Sequence, residues 1–241
     1  MSYERSARYY DLFGAKDDGA FLAELAARLG GPALVAGAGT GREALALADA
    51  GLEVVAFDAS AAMLAVAADK VAAQKLAPRV RLVRADARRF TFRRGFPLLV
   101  ALNLFDHFVA EGDAAAALRN LKAHLTPGGR AVVNAGTPAW RPKANPAVEA
   151  RDLPDGRRVT RRVKFSPTPR RNVYAVELRF DVSRGGLILE RHLERSEARL
   201  FRPDEIRRLA AAAGLTTEAV YGDFARTPLG TGDEQAIYVF K

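Results

Sequence analysis

No cysteine occurs among the 241 residues, which removes disulfides, thiolate nucleophiles and cysteine-ligated metals together. Histidine is scarce too. The three present, His107, His124 and His192, are not spaced as a paired zinc ligand set, so no metal site is expected. No run of about 18 uncharged apolar residues exists, so a membrane span and a membrane partner are not expected. The opening MSYERSARYYDLF lacks the basic-then-apolar layout of a signal peptide, which makes a cytoplasmic protein the expectation. A single tryptophan and 8% aromatic residues leave no interleaved aromatic series of the kind that stacks nucleobases.

What the chain does have is enough apolar content, 49%, for one large domain or one domain carrying a smaller inserted lobe. Its net charge is +9, and between Arg141 and Arg199 fifteen Lys and Arg face eight Asp and Glu. A nucleic acid or other large anion therefore stays open as a partner. An arginine- and alanine-rich composition is the plainer account, and a small-molecule partner is favoured.

Along the chain, Phe21, Leu22, Leu25, Ala26 and Leu29 fall at helical spacing and stop at Gly30-Gly31. Pro32–Ala36 reads as a short buried strand, with a glycine loop behind it and a helix from Arg42 towards Gly51. Strands follow at Leu52–Phe57, ending at Asp58, and at Val80–Arg84, ending near Asp86, with a helix at Ser60–Lys75 between them. Phe96–Asn103 has the continuous apolar character of a central parallel strand. A helix at Asp113–Leu125 and a strand at Arg130–Asn134 complete the alternation. This rhythm predicts an α/β fold, a doubly wound, mostly parallel sheet covered on both faces.

The pattern then changes. Residues 138–170 are rich in proline and arginine and read as irregular, with Val159–Phe165 as a candidate strand. VYAVELRFDV and LILERHLER alternate on either side of Arg184-Gly185-Gly186 and predict an antiparallel hairpin. The expected organisation is a cofactor-binding α/β domain at 1–139 and 201–241, with a small antiparallel β lobe inserted at 140–200. A helix at Pro203–Ala213 and strands at Thr216–Tyr221 and Gln235–Phe240 close the chain.

The glycine loop, Gly37-Ala38-Gly39-Thr40-Gly41, sits between strand and helix, where backbone N–H groups face a ligand. Its spacing is GxGxG, not the GxGxxG of dinucleotide sites. Asp58, seventeen residues after Gly41, ends the next strand, where a carboxylate can accept from both ribose hydroxyls. Asp86 ends the strand after that, within reach of an adenine amino group. Three successive strand ends thus outline an adenosine-shaped crevice. Helix capping by Asp58 and a solvated Asp86 are the alternatives.

The segments PALVAGAGTGREALALADAGLEVVAFDASAAML, VRLVRADARRF and LKAHLTPGGRAVV resemble the class I S-adenosylmethionine-dependent methyltransferases. So do LFRPDEIRRLAAAAGL and AVYGDF, and the resemblance covers essentially the whole chain. It implies a seven-stranded Rossmann-like sheet with a small antiparallel insertion. Lobed members of this kind look like glycine and aminosugar N-methyltransferases. By the same resemblance the cofactor is S-adenosylmethionine, leaving as S-adenosylhomocysteine. Gly37, Ala38, Gly39 and Gly41 would pass beneath its methionine part. Asp58 with Ala59 would bind the ribose, Met63 would pack near adenine, Asp86 and Ala87 would contact its edge, and Tyr10 would cover it. One departure stands out. The family places an acid two residues before the first glycine, to orient the cofactor's ammonium, where this chain has Val35. Two readings follow: an enzyme with a compensating contact, or a catalytically lapsed adenosine-ligand-binding protein.

The expected function is direct in-line methyl transfer to nitrogen or oxygen of a small-molecule acceptor, with RNA or another large anion as the alternative. No Asn/Asp-Pro-Pro-aromatic motif follows the fourth strand; Asn103-Leu104-Phe105-Asp106-His107 stands there instead. His107 is the candidate base and Asn103 the candidate positioning group for substrate or cofactor. Packing and turn roles are the alternatives for each, and Asp106 reads as a cap. Trp140, His192, Tyr221 and Asp223 are further acceptor-site candidates.

Overall fold

The computed structural model describes residues 3–14, 18–143 and 145–241. The first, second and fourth strands are short and apolar, whereas the third carries two arginines and the fifth is twelve residues long. Strands β1 (Ala33–Ala36), β2 (Val54–Asp58), β3 (Val80–Arg84), β4 (Phe96–Ala101) and β5 (Leu125–Gly136) pair in parallel. Two further strands, β10 (Thr217–Tyr221) and β11 (Gln235–Phe240), extend the sheet beyond β5, and β11 runs antiparallel to both of its neighbours. The order is β10-β11-β5-β4-β1-β2-β3. The chain reverses its direction of winding between β1 and β4, and ligands of such sheets lodge at the carboxyl ends beside that switch.

The helices close both faces. On one, α4 (Asp113–His124) and α5 (Pro203–Ala212) bury Leu118, Leu121 and Ile206 against Phe96, Leu99 and Tyr238. On the other, α1 (Gly19–Leu29) and α2 (Arg42–Asp49) bury Leu22, Leu25, Leu45 and Leu47 against Val35, Leu98 and Val100. Helix α3 (Ala61–Ala73) starts at Ser60, whose hydroxyl accepts from the Met63 amide at 3.2 Å and satisfies one of the orphan donors of the first turn.

The second sheet has order β6-β7-β8-β9, all antiparallel: β6 (Ala147–Asp152), β7 (Arg158–Pro167), β8 (Val173–Arg184) and β9 (Leu187–Arg199). Three strands were expected, and β6 falls inside the tract read as irregular. Its residues are mostly exposed and carry no apolar alternation, so it is held by its ladder with β7. A bulge opposite Val182–Ser183 interrupts the strict alternation expected of the hairpin. The inner face of this sheet, with Val159, Leu178, Phe180 and Val182, packs on Tyr9 and Phe13 of the N-terminal 3-10 turn Ala7–Phe13. No helix among the described residues is long and apolar enough to cross a membrane, and none of their acidic and histidine side chains cluster to hold a metal.

Candidate active site

At the carboxyl ends of β1, β2, β3 and β4 a cavity opens between the glycine loop and the N-terminal segment. Its lining brings together Tyr10, Gly37, Ala38, Gly39, Asp58, Ala59, Met63, Asp86, Ala87, Asn103 and His107, all of them singled out in the sequence. Gly41 is not among the lining residues. It is left-handed, with φ +86°, and a Cβ there would come within 3.0 Å of the Ala67 methyl, so its glycine lets α2 approach α3. Gly37 answers to the cavity itself. With φ +70°, it leaves Leu104 space that a Cβ would enter at 2.9 Å.

Asp58 stitches the crevice together. One carboxylate oxygen accepts from the Gly39 amide and the other from the Ser60 amide, each at 2.8 Å. The capping role weighed for Asp58 falls instead to Ser60, the cap residue, of which Asp58 bonds only the backbone amide. An ionised carboxylate has about four acceptor positions, so two remain open to a ligand. Asp86 is gripped by Arg88, which donates through its backbone amide at 2.9 Å and its guanidinium at 2.6 Å. Those bonds hold the Asp86 pKa below the ordinary carboxylate value.

The N-terminal segment forms the outer wall, and most of its contribution went unread in the sequence. Tyr3, Asp11 and Gly14 line the cavity alongside Tyr10, with the two tyrosine rings edge to face at 5.1 Å. Asp11 accepts from the Thr40 hydroxyl at 2.6 Å and from Lys70 at 2.8 Å, and Glu4 accepts from the Ser60 hydroxyl at 2.9 Å. Burial, then the negative charge of Glu43, holds the Tyr10 phenol above its ordinary pKa. Thr40, Arg42, Glu43 and Ser60 were likewise missed as lining residues. Only their neighbourhood to the glycine loop and Asp58 marked them.

Asn103 stands where this cavity meets two others. A hollow beneath the second sheet shares Tyr3, Tyr10, Asn103 and His107 with it and adds Asp106, Arg161 and Phe165. A third, lined by Asn103, Asp106, Trp140, Phe165, Tyr174, Asp233 and Glu234, lies between the two sheets. Asn103 takes the left-handed conformation, φ +55°, which asparagine tolerates, and its amide donates to the buried Asn134 side chain at 2.6 Å. Asp106 does not cap a helix; it accepts from the Gly136 amide at 2.8 Å and ties the end of β4 to β5. Trp140 meets Phe165 and Tyr174 edge on, at 4.7 and 5.6 Å.

His107 is largely buried, and its Nδ1 makes no hydrogen bond among the described residues. Burial pushes its pKa down to about 4, so the ring is neutral near pH 7. His192 lines none of these three hollows; it bonds Glu190 at 2.9 Å and packs against Tyr9. Tyr221 packs on Phe21, and Asp223 accepts from Thr227 at 2.7 Å, leaving Gly222 between them as the lining residue.

The sequence profile of the family described as "Methyltransferase domain" matches residues 33–129, the stretch that carries the glycine loop, the first four strands and the start of the fifth. The chain is 31% identical over 206 residues to the cypemycin N-terminal methyltransferase of a Streptomyces species, covering 85% of this chain and 80% of that one. Among solved structures, the CcbJ methyltransferase from Streptomyces caelestis superposes with a TM-score of 0.81 at 25% identity, covering 99% of this chain and 96% of the other. The S-adenosylmethionine-bound CalS10, an amino pentose methyltransferase from Micromonospora echinaspora, shares the fold with a TM-score of 0.73 at 24% identity, over 97% and 94% of the two chains.

Proposed function

The chain belongs to the class I S-adenosylmethionine-dependent methyltransferases, and on that premise we propose that it methylates the nitrogen of an amine on a small molecule. The observation that carries this reading is the junction at Asn103. There the glycine-loop cavity meets a hollow whose wall combines the rings of Trp140, Phe165 and Tyr174 with the carboxylates of Asp106, Asp233 and Glu234. Carboxylates and ring faces both favour a cation, and an aliphatic amine arrives as one. The relative at 31% identity, named for an N-terminal methyltransferase activity, supports nitrogen over oxygen.

The residues present fit the cofactor. The glycine loop would pass beneath its methionyl part, and the remaining acceptor positions of Asp58 would suit the ribose hydroxyls. Ala87 and Asp86 would stand at the adenine edge, with Met63 beneath the ring and Tyr10 over it. When bound, the sulfonium supplies an electrophilic methyl group. The protein's remaining work is to align the acceptor behind that methyl and keep water out. Asn103 positions the acceptor at the junction, while Tyr3 and Tyr10 close the path to solvent.

The amine has to lose a proton before it attacks. His107 is a poor receiver, because a proton moving to it from an aliphatic ammonium climbs about six pKa units, roughly 8–9 kcal/mol. The amine therefore reacts as the minor free base in equilibrium with bulk solvent, a cost of about 3 pKa units or about 4–5 kcal/mol at pH 7, and His107 shapes the site as a neutral ring.

The test is a panel of small amines and their matching alcohols, incubated with methyl-labelled S-adenosylmethionine and followed by mass spectrometry. Amines are expected to gain one methyl. Asp106→Asn is expected to lower kcat/KM for them by about ten- to a hundredfold, the weight of one charge-assisted contact. Equal labelling of the alcohols, or an Asp106→Asn variant with unchanged kcat/KM, would count against the amine reading.

A further inference from the structure

S-Adenosylmethionine and S-adenosylhomocysteine end in an amino acid, so the methionyl end of the cavity has to receive an ammonium beside a carboxylate. Val35 offers no polar atom and is 2% exposed within the core. Four other carboxylates line the cavity. Asp11 is held by Thr40 and Lys70, Asp58 by two backbone amides at the ribose end, and Asp86 by Arg88 at the adenine end. Glu43 is the fourth, in the first turn of α2 directly after the glycine loop.

Glu43 is an unusual glutamate. It is 7% exposed, and it lines the cavity, so the little surface it keeps opens there. One of its oxygens accepts from Arg42, whose same Nη2 also donates to Asp18 at 2.7 Å. A single guanidinium nitrogen is therefore shared between two carboxylates. Burial works against the Arg42 charge, yet Glu43 and Asp18 outweigh it and hold its pKa above the ordinary value. Arg42 lines the cavity as well. A buried carboxylate and a guanidinium side by side present the complement of a zwitterionic amino acid, at the end of the cavity where that group has to lie.

Resting on the cofactor reading above, we infer that Glu43 receives the α-ammonium of the cofactor, with Arg42 beside it facing the α-carboxylate. Glu43 is a binding residue in this account and takes no part in moving the methyl. A solvent-facing charge in a first helical turn would serve only the helix dipole and would be insensitive to the ligand. The burial of Glu43 and its place in the lining separate the two roles.

The experiment compares two ligands by calorimetric titration. S-Adenosylhomocysteine carries the amino-acid end, whereas 5′-methylthioadenosine has the same adenosine and sulfur without it. In Glu43→Gln, S-adenosylhomocysteine is expected to bind about ten- to a hundredfold more weakly than in the parent protein, the loss of one charge-assisted contact. Affinity for 5′-methylthioadenosine is expected to stay within about twofold. Glu43→Asp, which keeps the charge on a shorter arm, should fall between. An unchanged S-adenosylhomocysteine affinity would overturn the inference. So would an equal loss for both ligands, which would make Glu43 a structural support of the whole cavity. If the parent protein binds neither ligand, the cofactor cavity itself is misplaced and the inference falls with it; binding of 5′-methylthioadenosine alone would overturn only the role of Glu43.

Discussion

His107 shows how burial redirects a residue. From the sequence it is a histidine behind a central strand, in the place for a base that titrates near neutrality. In the fold its ring is wrapped by the protein, and the pKa falls from 6.5 to about 4. The sign of the linkage follows. Above pH 6.5 the ring is neutral in both folded and unfolded chains and has no effect on their balance. Between 6.5 and 4 the unfolded chain takes up a proton that the folded one refuses, so stability falls as pH falls, on the order of 2–3 kcal/mol from this group by pH 4. Urea denaturation at a series of pH values is expected to show that loss, and His107→Gln to remove its share. In turnover, His107→Gln is expected to lower kcat by less than about tenfold, and the parent rate to show no inflection near pH 6.5. A loss of a hundredfold or more would be the mark of a general base. Glu43 is the opposite lesson: a charge in a first helical turn reads as solvated, and only the folded chain reveals that it is buried beside the ligand cavity.

At the scale of elements, the glycine loop divides its labour between ligand and packing. Gly39 is left-handed and a Cβ there would meet nothing within 4 Å, whereas Gly41 stands 3.0 Å from the Ala67 methyl. Both alanine variants bear the left-handed penalty of about 1–2 kcal/mol. Gly41→Ala adds a helix-packing clash and is expected to lose about 2–3 kcal/mol of stability in urea. Gly39→Ala is expected to lose about 1–2 kcal/mol and, with its methyl in the cavity, to weaken S-adenosylhomocysteine binding more than Gly41→Ala does. The reverse ranking of the two affinities would contradict the placement of the loop. The strands β1, β2 and β4 were legible as apolar runs, the first closed by Gly37 and the second by Asp58. The lobe was less so: β6 shows no apolar face, and the bulge before Glu190 breaks the period on which its partner hairpin was read.

Residues 3–14 bridge the two sheets. On one side Ser6 donates to the buried Glu194 of β9, and Phe13 packs on Phe180 beneath the arginines at 151 and 161. On the other, Glu4 and Asp11 bond Ser60 and Thr40 at the cavity rim. None of these contacts is visible in the sequence, since each partner lies dozens of residues or more away. Of the N-terminal wall, only Tyr10 was found, by resemblance. The positive lobe also pairs many of its charges in three dimensions. Arg162, Arg179 and Arg191 converge on Asp181, and Arg161, Arg170 and Arg195 each face a glutamate on the lobe. These ion pairs brace the lobe and leave its positive excess in place.

The central claim is that the crevice at the strand ends is a cofactor site organised by Asp58. Calorimetric titration of S-adenosylhomocysteine into the parent protein and into Asp58→Ala tests it most directly, with thermal melts to establish that the variant is folded. The account predicts micromolar binding to the parent and a loss of at least about tenfold in the variant, as the ribose forfeits a charged acceptor. No binding to the parent up to millimolar ligand, or equal binding to a folded Asp58→Ala, would contradict it.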